Sequence, residues 1–231
     1  NGDVVEPLTS IPAPRDGKKS GTRVTAWPDP KYFDSPAISQ TELQRLLRSK
    51  AVLLPGVTVT LVNGKTGDTQ VWKYDEGLRG YLNEMLAQGS GEPLIPVFEG
   101  AQYSNGETDG FAEGEGAAWV VAWTEDGGVV RESYVNLIPT PNGGTHESGL
   151  RDGLYGAVKN FVEMHSLLPK GVKLLPEDVF ARTSFVLSAK VLDPQFQGQI
   201  KERLNSRDAV RLVSTFTKPP LELWLNQHVD Y

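Results

Sequence analysis

Residues 117–124, AAWVVAWT, predict a strand, and the apolar run 117–123 within them is far short of the ~20 residues that a membrane-spanning helix needs. Further strand-like segments occupy 129–138 and 183–192, and residues 150–167 between them carry apolar side chains at helical spacing. The second half of the chain therefore predicts an α+β unit whose helices come mostly late in the sequence.

The segment before this unit predicts a helix, a hairpin and a second helix. Ser39 followed three residues later by Glu42 is a capping box, which marks the start of a helix. The segments 57–62 and 69–74 alternate around turn residues, as the two strands of a hairpin do. A second helix is expected over 78–88, directly before a glycine.

Three other stretches carry local signals. Residues 22–27 alternate as a strand does and end before a proline. Residues 100–116 are rich in glycine and acids, which predicts a solvated loop. From Ser206 to the end the pattern predicts a helix that is broken at Pro219–Pro220, because proline lacks the N–H that a helix interior uses.

The composition is that of an acidic globular chain. Its 231 residues contain 23 Lys and Arg against 29 Asp and Glu, which gives a net charge of −6. Phosphate neutralisation supplies most of the affinity of nucleic-acid binders, so this charge is unfavourable for a protein that reads DNA or RNA sequence. The chain has no cysteine, which excludes disulfides and cysteine metal sites and fits a reducing, cytoplasmic compartment.

The residue patterns of metalloenzymes and self-contained hydrolases are missing from the sequence. The three histidines, His146, His165 and His228, lack ligand-like spacing, so no metal site is expected. There is no Gly-x-Ser-x-Gly elbow, and the acids between 107 and 115 lie in a glycine-rich stretch that is unsuited to holding a rigid carboxylate pair. Residues 143–146, GGTH, lack P-loop spacing and predict a tight turn leading into a helix.

The most informative stretch is 193–204, DPQFQGQIKERL. It leaves a predicted strand and presents the amides of Gln195 and Gln199 beside the cation of Lys201. A lysine next to an amide on a constrained loop suits the oxygens of a phosphoryl group. Lysines at loop ends are more often simply solvated, so the residues alone leave both interpretations open.

Several of these stretches, taken jointly and in this order, resemble the ATPase subunits of bacterial type IIA topoisomerases. The likeness extends over essentially the whole chain and is closer to the topoisomerase IV type (ParE) than to the DNA gyrase type, which stays the alternative. The residues that carry it are 21–29 (GTRVTAWPD), 33–36 (FDSP), 133–139 (SYVNLIP), 143–146 (GGTH), 168–173 (LPKGVK) and 193–204, with Glu202, Arg203 and Leu204 among the distinguishing details.

The resemblance implies a two-part architecture. Residues 1–96 would form the C-terminal part of a GHKL-type ATP-binding α/β sandwich. Residues 97–231 would form the transducer domain, with an α+β fold like that of ribosomal proteins. Its β-α-β crossover is expected to be left-handed, against the usual preference.

The resemblance also implies a nucleotide site. The threonine on the floor of the family's adenine pocket corresponds to Thr22, with Val24 as a nearby wall. The family's Gln-Thr-Lys loop, which reaches the γ-phosphate of ATP, corresponds to Gln199 and Lys201. Ile200 stands where the family has threonine, so the amide and the cation are kept while a hydroxyl is lost.

The cofactors and partners implied are those of the longer ATPase subunit. It would bind ATP and Mg²⁺, dimerise its ATPase gate, and pass DNA through a break made by the DNA-cleaving subunit of topoisomerase IV. The family's general base and Mg²⁺-binding asparagine belong to a part of the domain before these residues. We therefore expect this piece alone to lack ATPase activity and to bind no nucleotide tightly.

Contact with DNA is expected through phosphate attraction from Arg203, Arg207 and Arg211. A non-enzymatic nucleic-acid-binding module is a second hypothesis, since ribosomal proteins share the transducer fold. The net charge of −6 and the lack of interleaved basic and aromatic residues count against it.

Overall fold

A computed structural model describes residues 2–12, 20–89, 91–125 and 129–231. The chain divides into two compact units, residues 1–40 and Thr41–Tyr231. Residues 126–128, which connect two of the strand-like segments identified in the sequence, lie outside the described residues.

The first unit contains no strand among its described residues, so the strand predicted over 22–27 is wrong. This segment is exposed throughout most of its length, and Val24 keeps 84% of its surface in contact with solvent. A strand is stable only when a neighbouring strand pairs with its N–H and C=O groups. No strand in the described part of the chain pairs with residues 22–27.

The elements of the chain confirm the predicted hairpin, its two flanking helices, and the main helix and strands of the second half. In order they are α1 (Gln40–Leu53), β1 (Val59–Val62), β2 (Thr69–Trp72), α2 (Gly77–Gln88), β3 (Phe98–Tyr103), β4 (Gly116–Trp123), β5 (Arg131–Val135), β6 (Ile138–Pro139), α3 (Thr145–Met164), α4 (Pro176–Phe180), β7 (Thr183–Lys190), β8 (Phe196–Gln197), β9 (Arg203–Leu204) and α5 (Asp208–Gln227).

A five-stranded mixed sheet with the order β3-β4-β7-β5-β6 organises the second unit. Strands β5 and β7 are parallel, and the other neighbours are antiparallel. The chain leaves β5, passes through α3 and α4, and returns as β7 beside β5. The predicted α+β fold with a β-α-β crossover is thus present, and the left-handed sense of the crossover stays a prediction.

Both faces of the two central strands are buried, because their side chains alternate between two cores. On one face Trp119 and Phe185 pack with residues of α3 and α5. On the other face Val120 and Val186 pack with residues of α1 and α2, among them Leu82. Helices therefore pack on both faces of the sheet. The domain boundary expected near residue 96 stays a prediction.

The glycine-rich stretch 100–116 is more ordered than predicted. Strand β3 takes up its first four residues, and Phe111 lies buried against Phe216, with ring centroids 5.4 Å apart. The buried hydroxyl of Ser104 donates to Asp109 Oδ1 at 2.6 Å. An apolar anchor and a side-chain hydrogen bond thus replace the solvated loop that composition alone suggested.

Helix α5 runs unbroken through Pro219–Pro220, so the predicted interruption is wrong. Each proline removes one backbone hydrogen bond, which favours a break in an isolated helix. Here Thr217 and Leu221, on either side of the pair, are fully buried. Packing of α5 along α3 outweighs this local cost.

The packing of these helices requires a small residue at Gly149. A Cβ atom there would lie 2.5 Å from the carbonyl oxygen of Val210 and 3.0 Å from Cβ of Val213. We expect Gly149→Ala to lower the free energy of unfolding by roughly 1–3 kcal/mol, measured by urea denaturation.

Gly156→Ala is the matched control on the same helix. Its Cβ would first meet Cε of Lys218 at 3.3 Å, the far end of a flexible side chain. Alanine also favours helix by roughly 1 kcal/mol, so this variant should be as stable as the parent or more so. Equal stability of both variants would contradict the close helix contact at Gly149.

Candidate functional site

The predicted loop at 193–204 contains a short hairpin, which we call the lysine hairpin (residues 196–204). Phe196 pairs with Leu204 and Gln197 with Arg203, so residues 198–202 form its tip. Gln199 and Lys201 are both exposed at that tip. The structure therefore brings together the amide and the cation that the sequence singled out.

The backbone of Lys201 adopts a positive φ of 59°. Left-handed conformations favour glycine or asparagine and cost other residues about 1–2 kcal/mol. Turn geometry therefore does not account for a lysine here. Its Nζ lies 5.9 Å from the ring centroid of Phe196, and no carboxylate pairs with it within the described part of the chain.

The base of the lysine hairpin is bonded to the turn before α3. The backbone N–H of Asn142 donates to the carbonyl of Glu202 at 3.0 Å, and its side-chain Nδ2 donates to Glu202 Oε2 at 3.0 Å. In return Arg203 Nη1 donates to the carbonyl of Asn142 at 2.9 Å. The N–H of Leu204 adds a bond to the carbonyl of Gly143 at 3.1 Å.

This docking requires glycine at position 144. Gly144 has a φ of 142°, and a Cβ atom on it would lie 2.3 Å from the carbonyl oxygen of Leu204. Helix α3 begins at the next residue. The tight turn predicted from the GGTH residues is thus confirmed, and it also lets the two backbones meet.

Behind the turn lies a buried polar network. The hydroxyl of Ser133 lies 2.7 Å from that of Thr140 and donates to Glu147 Oε1 at 2.6 Å. Thr140 Oγ1 lies 2.9 Å from His146 Nε2. The sequence analysis did not identify Thr140 or Glu147 as members of this network. Thr140 directly follows the motif 133–139 and Glu147 directly follows the motif 143–146, and these positions were a signal that could have identified them.

Burial sets the charge state of this network. Burial, together with the smaller effect of the Arg203 charge, lowers the pKa of His146 from 6.5 to about 4. Burial raises the pKa of Glu147, which a hydrogen bond from Ser133 and the charges of Arg131 and Arg203 partly oppose. His146 is consequently neutral near pH 7, as a hydrogen-bonded core residue.

The three arginines expected to face DNA differ in how they are held. Arg203 is bonded to the carbonyl of Asn142. The guanidinium of Arg211 lies 4.2 Å from the ring centroid of Phe111. The exposed Arg207, directly before α5, makes no side-chain hydrogen bond or ion pair within the described ranges. Arg207 is therefore the freest of the three to meet a phosphate.

The residues proposed for the adenine pocket lie in the first unit. Thr22 and Val24 are exposed there, in a segment without regular structure. Their role in binding adenine stays a prediction. Ile200 is also exposed, at 79% of its surface, so the apolar group at the tip of the lysine hairpin is mostly in contact with solvent.

Sequence reasoning also missed a cleft of about 590 Å³ in the second unit, between α1, β2 and β5. Arg45, Arg48 and Arg131 line it, together with one carboxylate, that of Glu132. This carboxylate accepts hydrogen bonds from two tyrosine hydroxyls. The cleft has an excess of positive charge in a chain that is negative overall.

Two absences hold for the part of the chain that the structure describes. It holds no group of three or more acidic or histidine side chains that could bind a metal ion. It also holds no helix long and apolar enough to span a membrane.

Several known proteins are similar to this chain in sequence. The sequence model of the DNA gyrase B family matches residues 77–231. The topoisomerase 4 B subunit of Pseudomonas aeruginosa is 46% identical over 217 residues, which cover 92% of this chain and 33% of that protein. The corresponding protein of Escherichia coli K12 is 43% identical, with coverages of 100% and 35%.

Solved structures show the same fold. The topoisomerase IV ATP-binding domain of Francisella tularensis, in complex with a small-molecule inhibitor, aligns with a TM-score of 0.72 and 37% identity over 88% of this chain and 53% of that one. The ATPase domain of Thermus thermophilus gyrase B aligns with a TM-score of 0.70 over 87% and 52%, and at 20% identity it supports the fold alone.

The chain belongs to the DNA gyrase B family. The two curated relatives named above are topoisomerase IV B subunits, which confirms the resemblance seen in the sequence. The chain spans about a third of the length of these relatives.

The neutral state of His146 predicts how stability depends on pH. Its pKa is lower in the folded chain, about 4, than the ordinary 6.5, so folding favours the neutral form. The contribution of neutral His146 to the free energy of unfolding is complete above pH 6.5 and is lost as the pH falls towards 4. We expect a loss of roughly 2 kcal/mol in the free energy of unfolding between pH 7.5 and 5.

His146→Gln is the control, because glutamine keeps a polar group near Thr140 without titrating. Urea unfolding of both proteins at the two pH values isolates the histidine contribution. Glu147, whose raised pKa acts in the opposite direction, is present in both proteins. An equal pH dependence in both would show that His146 is not buried in its neutral form.

Proposed function

We propose that this chain is a segment of the ATPase subunit of a topoisomerase IV-type enzyme, and that it couples the state of bound ATP to movement of the gate through which DNA passes. The observation that carries the proposal is the conformation of Lys201, an unpaired cation held at a positive φ on a hairpin bonded to the turn before α3. Strain at an exposed cation is typical of a residue kept for its ligand. The match to the DNA gyrase B family supports ATP as that ligand.

In this proposal Lys201 and Gln199 contact the γ-phosphate of ATP, with lysine as a point charge and glutamine as a directional donor. Thr22 and Val24 contribute to the adenine pocket. Residues 1–96 form part of the ATP-binding domain and residues 97–231 form the transducer. The hairpin then moves with the transducer when the γ-phosphate is bound or lost.

The cofactors in the proposal are ATP and Mg²⁺. The exposed tip of the lysine hairpin fits a phosphate group, whereas no acidic or histidine cluster among the described residues fits a metal ion. Mg²⁺ would neutralise phosphate charge from ligands elsewhere in the full-length protein. We assign ATP turnover to the longer protein.

The partners in the proposal are DNA, the DNA-cleaving subunit of topoisomerase IV, and a second copy of the ATPase subunit, all in the cytoplasm. Relatives named as topoisomerase 4 B subunits support this assignment over the gyrase type. Decatenation of linked DNA circles by the reconstituted enzyme, without ATP-driven supercoiling, would distinguish the two.

Removal of the Lys201 cation tests the proposal. In the full-length protein, we expect Lys201→Met to weaken binding of a non-hydrolysable ATP analogue by about 10- to 100-fold, the value of one charge-assisted hydrogen bond. Binding of ADP should not change, because ADP lacks the γ-phosphate. Calorimetric titration with both nucleotides measures the difference.

Lys170→Met, at another exposed lysine, is the control and should bind both nucleotides as the parent does. An unchanged affinity of Lys201→Met for the ATP analogue would reject the γ-phosphate contact. Equal weakening for ATP analogue and ADP would indicate a general defect of the site.

The contact with DNA predicts a second result. Arg207→Ala should weaken DNA binding by the full-length protein without regard to sequence, and the slope of log affinity against log salt should fall by about one. Lys159→Ala is a control, because that lysine lies near Glu163 on α3. A salt slope that Arg207→Ala leaves unchanged would place the DNA elsewhere.

A further inference from the structure

We propose that Asn142 is a positioning residue for Lys201, and that it acts by holding the neighbouring Glu202. This inference rests on the proposed contact between Lys201 and the γ-phosphate. Asn142 itself touches no nucleotide in this scheme. Its effect is on where the cation of the lysine hairpin points and on whether that cation stays unpaired.

Asn142 holds both the main chain and the side chain of Glu202. Its backbone N–H bonds the Glu202 carbonyl and its Nδ2 bonds Glu202 Oε2, each at 3.0 Å. Asn142 therefore bonds Glu202, the residue directly after Lys201. Two bonds from a single residue fix the position and the orientation of the last residue of the tip.

The carboxylate of Glu202 is also the nearest competitor in sequence for the Lys201 cation. Left without its bond to Asn142, this carboxylate would be free to pair with Nζ of Lys201. An internal ion pair would compete with an incoming phosphate for the same charge. The amide of Asn142 thus keeps the lysine available, in agreement with the absence of a carboxylate partner for Lys201 among the described residues.

Asn142 is itself held from behind. The N–H of Gly143 donates to the carbonyl of Thr140 at 2.8 Å, and the N–H of Thr140 donates to the carbonyl of Ser133 on β5 at 2.9 Å. The Thr140 hydroxyl lies 2.9 Å from His146 on α3. The turn that carries Asn142 is therefore fastened to the central sheet and to the start of α3.

The test uses the full-length protein with five variants: Asn142→Asp, Glu202→Gln, Lys201→Met, and Asn142→Asp combined with each of the other two. Asn142→Asp places one carboxylate against another and releases Glu202. We expect about 10-fold weaker binding of a non-hydrolysable ATP analogue and unchanged binding of ADP. Adding Glu202→Gln to Asn142→Asp supplies an amide donor to the new aspartate and should restore most of the affinity.

Non-additivity identifies the route of the effect. If Asn142 acts through Lys201, Asn142→Asp should cause little further loss in the Lys201→Met background. Thermal melting of each variant separates loss of fold from loss of positioning, since rescue by Glu202→Gln does not arise from a misfolded chain.

Each other outcome overturns the inference. Equal weakening for ATP analogue and ADP would make Asn142 a structural residue only. A full additional loss in the Lys201→Met background would mean that Asn142 acts elsewhere. An effect of Lys201→Met without any effect of Asn142→Asp would reject this inference alone. No effect of Lys201→Met would reject the proposed function and this inference with it.

Discussion

Burial of strands β4 and β7 on both faces determines where the other elements lie. Each strand sends alternate side chains into two cores, so helices must cover both sides of the sheet. Helices α3 and α5 cover one side, and α1 and α2 the other. The start of α3, where the lysine hairpin docks, is thereby fixed relative to the centre of the protein.

The candidate site is built outward from this frame through progressively smaller contacts. The sheet positions Ser133, whose neighbours Thr140 and His146 hold the turn before α3. Gly144 then permits the backbone of Leu204 to approach. The exposed tip at 198–202 is consequently the end of a continuous chain of bonds rather than a free loop.

Sequence patterns identified the elements whose own residues determine them. The hairpin of β1 and β2, helix α3 and the strands β4 and β7 follow from apolar spacing and turn residues. The predictions failed where the structure of a segment depends on residues far away in the sequence. Residues 22–27 have no described strand to pair with, and Phe111 is buried against α5. Packing against α3 keeps α5 helical despite its two prolines. The bonds of Asn142 were unpredictable for the same reason, since 60 positions separate it from Glu202.

The pair Pro219–Pro220 gives helix α5 an uneven bending stiffness. Without two backbone N–H groups, the carbonyls of Thr215 and Phe216 lack their usual partners one turn later, and the two rings crowd the same turn. At this turn the helix is maintained by side-chain packing, whereas backbone hydrogen bonds maintain it on either side of the turn. A force transmitted along α5 from the hairpin end would therefore flex it at this turn, near the middle of the helix.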